Sequence, residues 1–399
     1  MIYLALPILN ESDYLAQLLD CIRNQEITEF KLFICVNNYD IWWHDPKLIS
    51  KCEDNQRSIK LLKDFKDLEV VILDKSSPGK GWKSKKGGVG HARKLLMDTI
   101  SSFAKEEDII VSIDADTFYP KNYLKKIELF FKDNSCLGLS IPYYHKLDHG
   151  NERLILHYEI YMRYYLINMF RINNPWAFTA VGSAMAFPVW AYRKVGGLTP
   201  VKSGEDFYFI QKLLKTGQIS NWIDTTAYPS SRLSSRVDFG TGPALIKGSK
   251  GNWNSYPLYN YNLFDEVKNT FEKFEKLFYN EIETDMDSFL KSQFNTEELW
   301  EPLRKNYKDV VNFEKSCINK VDALRVLQFL KQSHLEQPTH DSLVLKEYLF
   351  RFHKDQLNEK IIDALTDFSF ELSSISDLDI IRNFLYETEM YLRKGQFNS

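Results

Sequence analysis

The chain has 399 residues, 44 % of them hydrophobic, which is enough for two or three domains and a sizeable core. Its 51 lysines and arginines against 54 aspartates and glutamates leave a net charge of −3, which excludes a global field drawing it to nucleic acid or anionic membrane. The five cysteines, Cys21, Cys35, Cys52, Cys136 and Cys317, are odd in number, widely spaced and without a CxxC pair. That pattern argues against a disulfide framework and a zinc cluster and for reduced, structural thiols.

In chain order, Ile2 to Leu6 is apolar but too short for a signal-peptide core and lacks a basic lead, so a cytoplasmic location is expected. Ile2 to Leu6, Phe30 to Val36, Leu68 to Leu73 and Ile109 to Ile113 are β-rich runs separated by helix-period stretches, the mark of a parallel α/β sheet. Leu15, Leu18, Leu19 and Ile22 predict a one-faced helix between the first two runs. In such sheets ligands bind at the carboxyl ends of the strands, so residues just after strands are the informative ones.

The loop Ser77 to Gly90 has glycines at 79, 81, 87, 88 and 90 and lysines at 80, 83, 85 and 86. Glycines let backbone N–H groups approach an anion, and a helix N-terminus adds a favourable dipole. The loop matches neither GxxxxGK[ST] nor GxGxxG, so phosphate cradle and solvated loop are equal readings. The helix after it, from near His91, is expected to carry Leu95, Thr99 and Phe103 on one face.

The fourth β-rich run ends in Asp114, Ala115, Asp116. Residues i and i+2 of an extended chain point to one side, and two hard oxygen ligands there suit Mg²⁺ or Mn²⁺ holding a diphosphate. The competing reading is a turn in which Asp bonds the backbone before a helix opened by Pro120. His145 and His149 have HxxxH spacing without the HExxH glutamate and read as ordinary polar residues. Ile172 to Tyr192 is uncharged and of spanning length, but Asn173, Asn174, Pro175, Gly182, Ser183 and Pro188 suit a buried irregular segment better than a membrane helix.

Ser203, Gly204, Glu205 and Asp206 precede a helix carrying Phe207, Ile210, Leu213 and Leu214 that stops at Gly217. Structurally this is a capping box, with Ser203 as cap and Asp206 reaching back. Functionally it is an acidic pair at a cleft rim, one carboxylate placed to take a proton from an attacking hydroxyl. A cap needs only one acid, so the second favours function. Arg232 and Arg236 lie in "SSRLSSRVDFGTG", where Gly240 and Gly242 are candidate hinges. Guanidiniums there could close over a diphosphate, with a solvated loop as the equal competitor. From about residue 250 helical periodicity dominates: Phe264, Val267, Phe271, Phe274 and Phe278 form one stripe and Val321, Leu324 and Leu327 another, both read as core of a helical domain.

Taken in order, "LALPILNESDYLAQLLDCIRNQ", "GHARKLLM", "IDADTFYP", "GSAMAFPVWAYRKVGG" and "SGEDFYFIQKLLKTG" resemble the successive motifs of glycosyltransferase family 2, over about residues 1 to 247. The resemblance implies an α/β fold of GT-A type over residues 1–247 with a helical C-terminal extension, residues 248–399, of unassigned role. It further implies a metal-dependent, inverting transfer from a UDP- or GDP-linked sugar to a carbohydrate or glycolipid acceptor, as in surface polysaccharide or glycoconjugate synthesis, with Mn²⁺ or Mg²⁺ as cofactor. By it, Pro7, Asn10 and Glu11 line the nucleotide pocket, Arg93 approaches the donor, and Arg232 or Arg236 meets the diphosphate. Asp114 and Asp116 are the metal pair, Asp116 the more direct ligand. Asp206 is the general base and Glu205 its acceptor-binding partner, while Gly182 to Ala186, Gly196 and Gly197 form the acceptor-side wall. Where the family has an acidic pair after the second strand, this chain has Asn37 and Asn38, whose amides accept hydrogen bonds but bring no charge. No nucleic-acid partner and no transmembrane segment are expected; any membrane contact would be peripheral. Two rivals stand: a sugar nucleotidyltransferase, whose loop would sit at the first strand where "PILNE" stands, and a non-catalytic carbohydrate- or partner-binding module, against which the four acids argue.

Overall fold

The computed structural model describes residues 1–399 except 84–86, 148–149, 202–203, 233–248, 250, 252, 254–255 and 399. The chain forms two compact units, one of residues 1–155, 179–246 and 393–399, the other of residues 156–178 and 247–392.

The first unit is built on a six-stranded sheet of order β3-β2-β1-β4-β6-β5. The strands are β1 (Ile2–Ile8), β2 (Phe30–Asn37), β3 (Val70–Lys75), β4 (Ile109–Ser112), β5 (Leu139–Ser140) and β6 (Met185–Pro188). β1 is parallel to β2 and β4, and β2 to β3, while β6 runs antiparallel to both β4 and β5. Every residue of β1 and β4 is buried, as expected of strands covered on both faces. The fold is thus α/β with a helical C-terminal region, as expected, and its parallel part continues into an antiparallel edge.

The helices met in this part of the chain are α1 (Ser12–Arg23), α2 (Ile49–Asp64), α3 (Val89–Ser101), α4 (Tyr123–Asp133), α5 (Glu152–Arg171), α6 (Val189–Lys194) and α7 (Glu205–Thr216). α1 buries Leu15, Leu18, Leu19 and Ile22 against Leu4, Leu6, Ile34 and Val36, joined by Tyr123, Leu124 and Ile127 of α4. α3 does not bury the face expected of it. Its inner residues are Ala92, Arg93, Leu96, Met97 and Ile100, while Phe103 is 54 % exposed, because an arginine is turned inward and rotates the buried stripe. α7 stops at Gly217 as expected, but its N-cap is Gly204, at φ +76°, and Ser203 lies outside the described residues. All five cysteines are free.

The last residues of the chain belong to the sheet unit. Arg393 is buried there, its Nη1 donating to the carbonyls of Ser140 on β5 (3.1 Å) and Asn221 (2.7 Å), its Nη2 to Thr179 Oγ1 (2.7 Å). Arg393→Ala is therefore expected to destabilise the sheet unit by roughly 2–3 kcal/mol, since it strips charged donors from buried acceptors. Denaturant unfolding followed by tryptophan fluorescence checks this, and an unchanged midpoint would show that the arginine is dispensable.

The second unit is helical, with Tyr261–Glu272, Phe274–Tyr279, Val310–Lys320, Ala323–Glu336 and Asp341–Phe352 among its helices. The first expected stripe is interrupted at Lys273, between two helices, and buries Phe264, Val267 and Phe274. The second stripe is displaced. Asp322 caps the helix by accepting from Arg325 N, so the helix begins at Ala323 and turns Ala323, Val326, Phe329 and Leu330 inward, leaving Val321 in the preceding turn. Among the described residues no helix is long and apolar enough to cross a membrane, and Ile172 to Tyr192 contains β6 and the start of α6.

Candidate active site

β2, β1 and β4 are parallel neighbours, so the chain leaves all three at one edge of the sheet. Glu11 follows β1, Asn37 and Asn38 close β2, and Asp114 and Asp116 follow β4. Crossover helices and the later chain bring Arg93, Glu205, Asp206 and Arg232 to the same edge.

Two guanidiniums organise the acids. Arg93 Nη2 donates to Asp114 Oδ1 at 2.6 Å and its Nη1 to Glu205 Oε1 at 2.5 Å. Arg232 Nε donates to Asp116 Oδ2 at 2.5 Å and its Nη2 to Glu11 Oε1 at 2.5 Å, with the guanidinium 4.4 Å from the Tyr14 ring centroid. Burial alone would lower either arginine's affinity for its proton, but the acids around each outweigh it and both shift upward. Each guanidinium is a permanent cation bonded to two carboxylates from distant parts of the sequence.

Asp114 and Asp116 do not leave the sheet as residues of one extended strand. β4 ends at Ser112, Asp116 lies in the turn beyond it, and the two acids are held by different arginines. The Asp114 N–H donates to the Tyr119 hydroxyl (3.1 Å), which donates to the Ser183 carbonyl (3.1 Å). Asp206 stands at the start of α7 beside Glu205. Burial, then the charge of Glu205, push its carboxyl up to about 7 against the opposing pull of Arg93. The helix N-terminus alone would favour its ionised form; desolvation and a like charge outweigh that dipole.

The polar residues after β1 and β2 are tied to α2. The Asn10 N–H donates to Asn55 Oδ1 (2.9 Å), and Asn10 itself sits at φ +57°, a conformation Asn tolerates. Ser12 donates to Asp54 from both its backbone and its hydroxyl, fixing the turn that carries buried Glu11. Asn37 donates to the Ile8 carbonyl (2.8 Å) and accepts from Trp82 Nε1 (3.1 Å); Asn38 Oδ1 accepts from Asn55 (2.9 Å). Both side chains are buried and committed to the loop framework. Pro7 is buried within β1, opposite Cys35. In the glycine- and lysine-rich loop, Lys80 pairs with Asp74 (3.1 Å), Asp40 accepts from the Gly79 N–H (2.8 Å), and Trp82 N–H donates to the Asn38 carbonyl (2.9 Å). This half of the loop is folded onto the β2 exit; Lys85 and Lys86 lie outside the described residues, as do Arg236 and His149.

Reading residue types alone missed Asp54, Asn55, Tyr14 and Trp82. One signal was present: Asp54, Asn55 and Ser58 lie within a turn or so of each other on the buried side of α2, beside Cys52, Ile59 and Leu62. Polar residues at the core positions of an amphipathic helix mark a hydrogen-bonded framework.

Residues 109–241, from β4 through Arg232, match the family model described as glycosyl transferase family group 2. Over that stretch the chain is similar to glycosyltransferase family 2. The match takes in Asp114, Asp116, Glu205, Asp206, Arg232 and Arg236 of the expected family 2 residues, while Pro7, Asn10, Glu11, Asn37 and Arg93 precede it. No curated protein matches the chain. Among solved structures, S. aureus TarS 1-349 in complex with UDP-GlcNAc is similar at 13 % identity and TM-score 0.42, covering 83 % of this chain and 92 % of that one. A mannosyltransferase from Pyrobaculum calidifontis in complex with GDP-Man and Mn²⁺ is similar at 11 % identity and TM-score 0.41, covering 96 % and 86 %.

Proposed function

We propose that this glycosyltransferase moves a sugar from a UDP- or GDP-linked donor to a carbohydrate or glycolipid hydroxyl, with inversion and with Mn²⁺ or Mg²⁺ as cofactor. The observation that carries the reading is the interlocked set at the strand ends, in which Glu11, Asp114, Asp116, Glu205 and Asp206 outnumber Arg93 and Arg232. A dianionic diphosphate is repelled by such a set unless a cation enters with it.

The donor set suits a hard cation. Among the described residues no group of three or more His, Cys, Asp or Glu is placed to hold an ion, so the chain would offer Asp116 and Asp114 while phosphate oxygens and waters supply the remaining ligands. When bound, the ion neutralises charge that builds on the departing diphosphate.

In the proposed displacement, the acceptor oxygen forms its bond to the anomeric carbon as the bond to the diphosphate oxygen breaks. The hydroxyl proton passes to the Asp206 carboxylate and the bonding pair leaves with the nucleotide. Attack on the face opposite the leaving group inverts the centre. Arg232, beside Asp116 and Glu11, is placed to offer its guanidinium to the diphosphate once a cation competes for those acids.

A thermal-shift panel of UDP, GDP and TDP with and without Mn²⁺ tests the reading: a ligand at a hundred times its dissociation constant adds about 2.7 kcal/mol of stability. Silence toward every nucleotide would overturn it. Asp116→Ala is expected to abolish the Mn²⁺-dependent part of nucleotide binding while the protein still melts cooperatively, because Asp116 is a partly exposed residue of a turn. Calorimetric titration of nucleotide against Mn²⁺-loaded protein reads this, and wild-type affinity in the variant would remove Asp116 from the metal site.

A further inference from the structure

We propose that Arg93 is a positioning residue, which fixes the general base relative to the donor-side carboxylate, and is not itself a ligand of the donor. The proposal rests on the glycosyltransferase reading above and assigns one of its residues a different task from the one family resemblance implies.

The geometry leaves Arg93 no face to offer a phosphate. Its two terminal nitrogens are taken, one by Asp114 after β4 and one by Glu205 at the start of α7. The residue is only 4 % exposed, and its Nε is enclosed without a partner among the described residues, so a ligand reaches it only by unpacking the site. Gly182 closes the remaining side. A Cβ there would fall onto the guanidinium, so backbone, with no side chain, forms the floor on which the fork lies. The next residue, Ser183, accepts from Tyr119, which accepts from the Asp114 N–H. Asp114, Arg93, Gly182 and Tyr119 therefore close a ring in which each member locates the next.

The free end of that ring is Glu205. α7 is entered through Gly204 in the left-handed region, with no side-chain cap, and Ser203 before it lies outside the described residues. The first turn of α7 thus holds two charge-assisted bonds: Arg93 to Glu205, and the Phe207 N–H to Asp206 Oδ1 at 2.8 Å. Asp206 is the next residue and its carboxylate is bonded within that same turn, so Arg93, by locating Glu205, locates the turn that carries the base. A fork bonding two carboxylates at once fixes direction as well as distance, which a lysine ammonium does not. A misplacement of about 1 Å at a reacting group costs on the order of a hundredfold in rate, whereas the donor-side contacts of Asp116, Glu11 and Arg232 are made with one another and not with Arg93.

The test uses the full chain with two substitutions. Gly182→Ala displaces the guanidinium and changes no charge; Arg93→Lys keeps the charge and loses the fork. Nucleotide affinity is measured by calorimetry with UDP and GDP in Mn²⁺, and turnover as release of nucleoside diphosphate from UDP-N-acetylglucosamine and GDP-mannose. Both variants should bind nucleotide within about threefold of wild type and turn over roughly ten- to a hundredfold more slowly. Glu205→Gln should slow the wild type by about tenfold yet add little in the Arg93→Lys background, as expected when two residues act through one contact. A tenfold loss of nucleotide affinity at normal turnover would make Arg93 a donor ligand, and unchanged turnover would make it packing; either overturns the proposal. Should Gly182→Ala fail to fold, Arg93→Lys gives the same split. A wild-type protein that neither binds nor cleaves any nucleotide sugar defeats the glycosyltransferase reading instead, a result seen before any substitution is made.

Discussion

Asp206→Asn is expected to lower sugar transfer by about 10²–10⁴-fold while donor affinity stays near wild type, because the amide keeps the shape of the base and cannot accept the proton. The wild-type rate should rise with pH along a limb centred near 7, where the buried carboxyl beside Glu205 gives up its proton. The sign for stability is opposite to that of a salt-bridged acid. The folded pKa lies above the ordinary 3.8, so Asp206 contributes stability that is full below about pH 4 and lost as pH rises through about 7. Asn carries no charge to desolvate, so the variant should match wild type at about pH 4 and melt higher at pH 8. Activity and stability then move in opposite directions, the signature of a group kept strained for function. Normal transfer by a variant that melts lower at pH 8 would reduce Asp206 to a structural residue of the α7 turn and make Glu205 the better base.

The legible part of the fold was what local pattern encodes. β1, β2 and β4 are short apolar runs between turns, and α1 carries its buried leucines at helical spacing, so the parallel sheet and its functional edge followed from sequence. β5 has two residues, too few for any period, and β6 hides in the uncharged stretch Ile172 to Tyr192, where alternation is absent. α3 was misread for a physical reason: Arg93, expected at the donor, is itself part of the buried face, where it meets buried Glu205 and partly exposed Asp114. That placement shifts the whole buried face.

The acids of the site were visible as types at strand and helix ends, but their partners were not. Arg232 reaches Glu11 across 221 residues of sequence and Arg93 reaches Glu205 across 112. Nothing local records such pairings, which arise only when the sheet sets its parallel strand exits side by side. The same holds for the raised pKa of Asp206: helix position alone predicts an easily ionised acid, and only the depth of burial and the neighbouring charge reverse it.

Long-range pairing also decides the second large expected effect, in the helical unit. Arg163 and Arg382 are both buried there, and Glu159 accepts from each at 3.1 Å; Arg163 also donates to Glu389 at 2.7 Å and Arg382 to Asp379. Glu159→Gln keeps the volume and removes the charge shared by two buried guanidiniums, which is expected to destabilise the helical unit by about 3–5 kcal/mol, the range for breaking a buried ion pair from one side. Removing both sides is a different matter. Replacing Glu159, Arg163, Arg382 and Glu389 together by leucine or methionine abolishes the desolvation penalty along with the attraction, and should leave stability near or above that of wild type. Because the chain has two units, unfolding is followed by hydrogen exchange, with the segment around Glu159 read separately from the sheet. A Glu159→Gln variant whose helices exchange at the wild-type rate would mean that the guanidiniums are solvated or re-paired on substitution, and that the buried cluster contributes little.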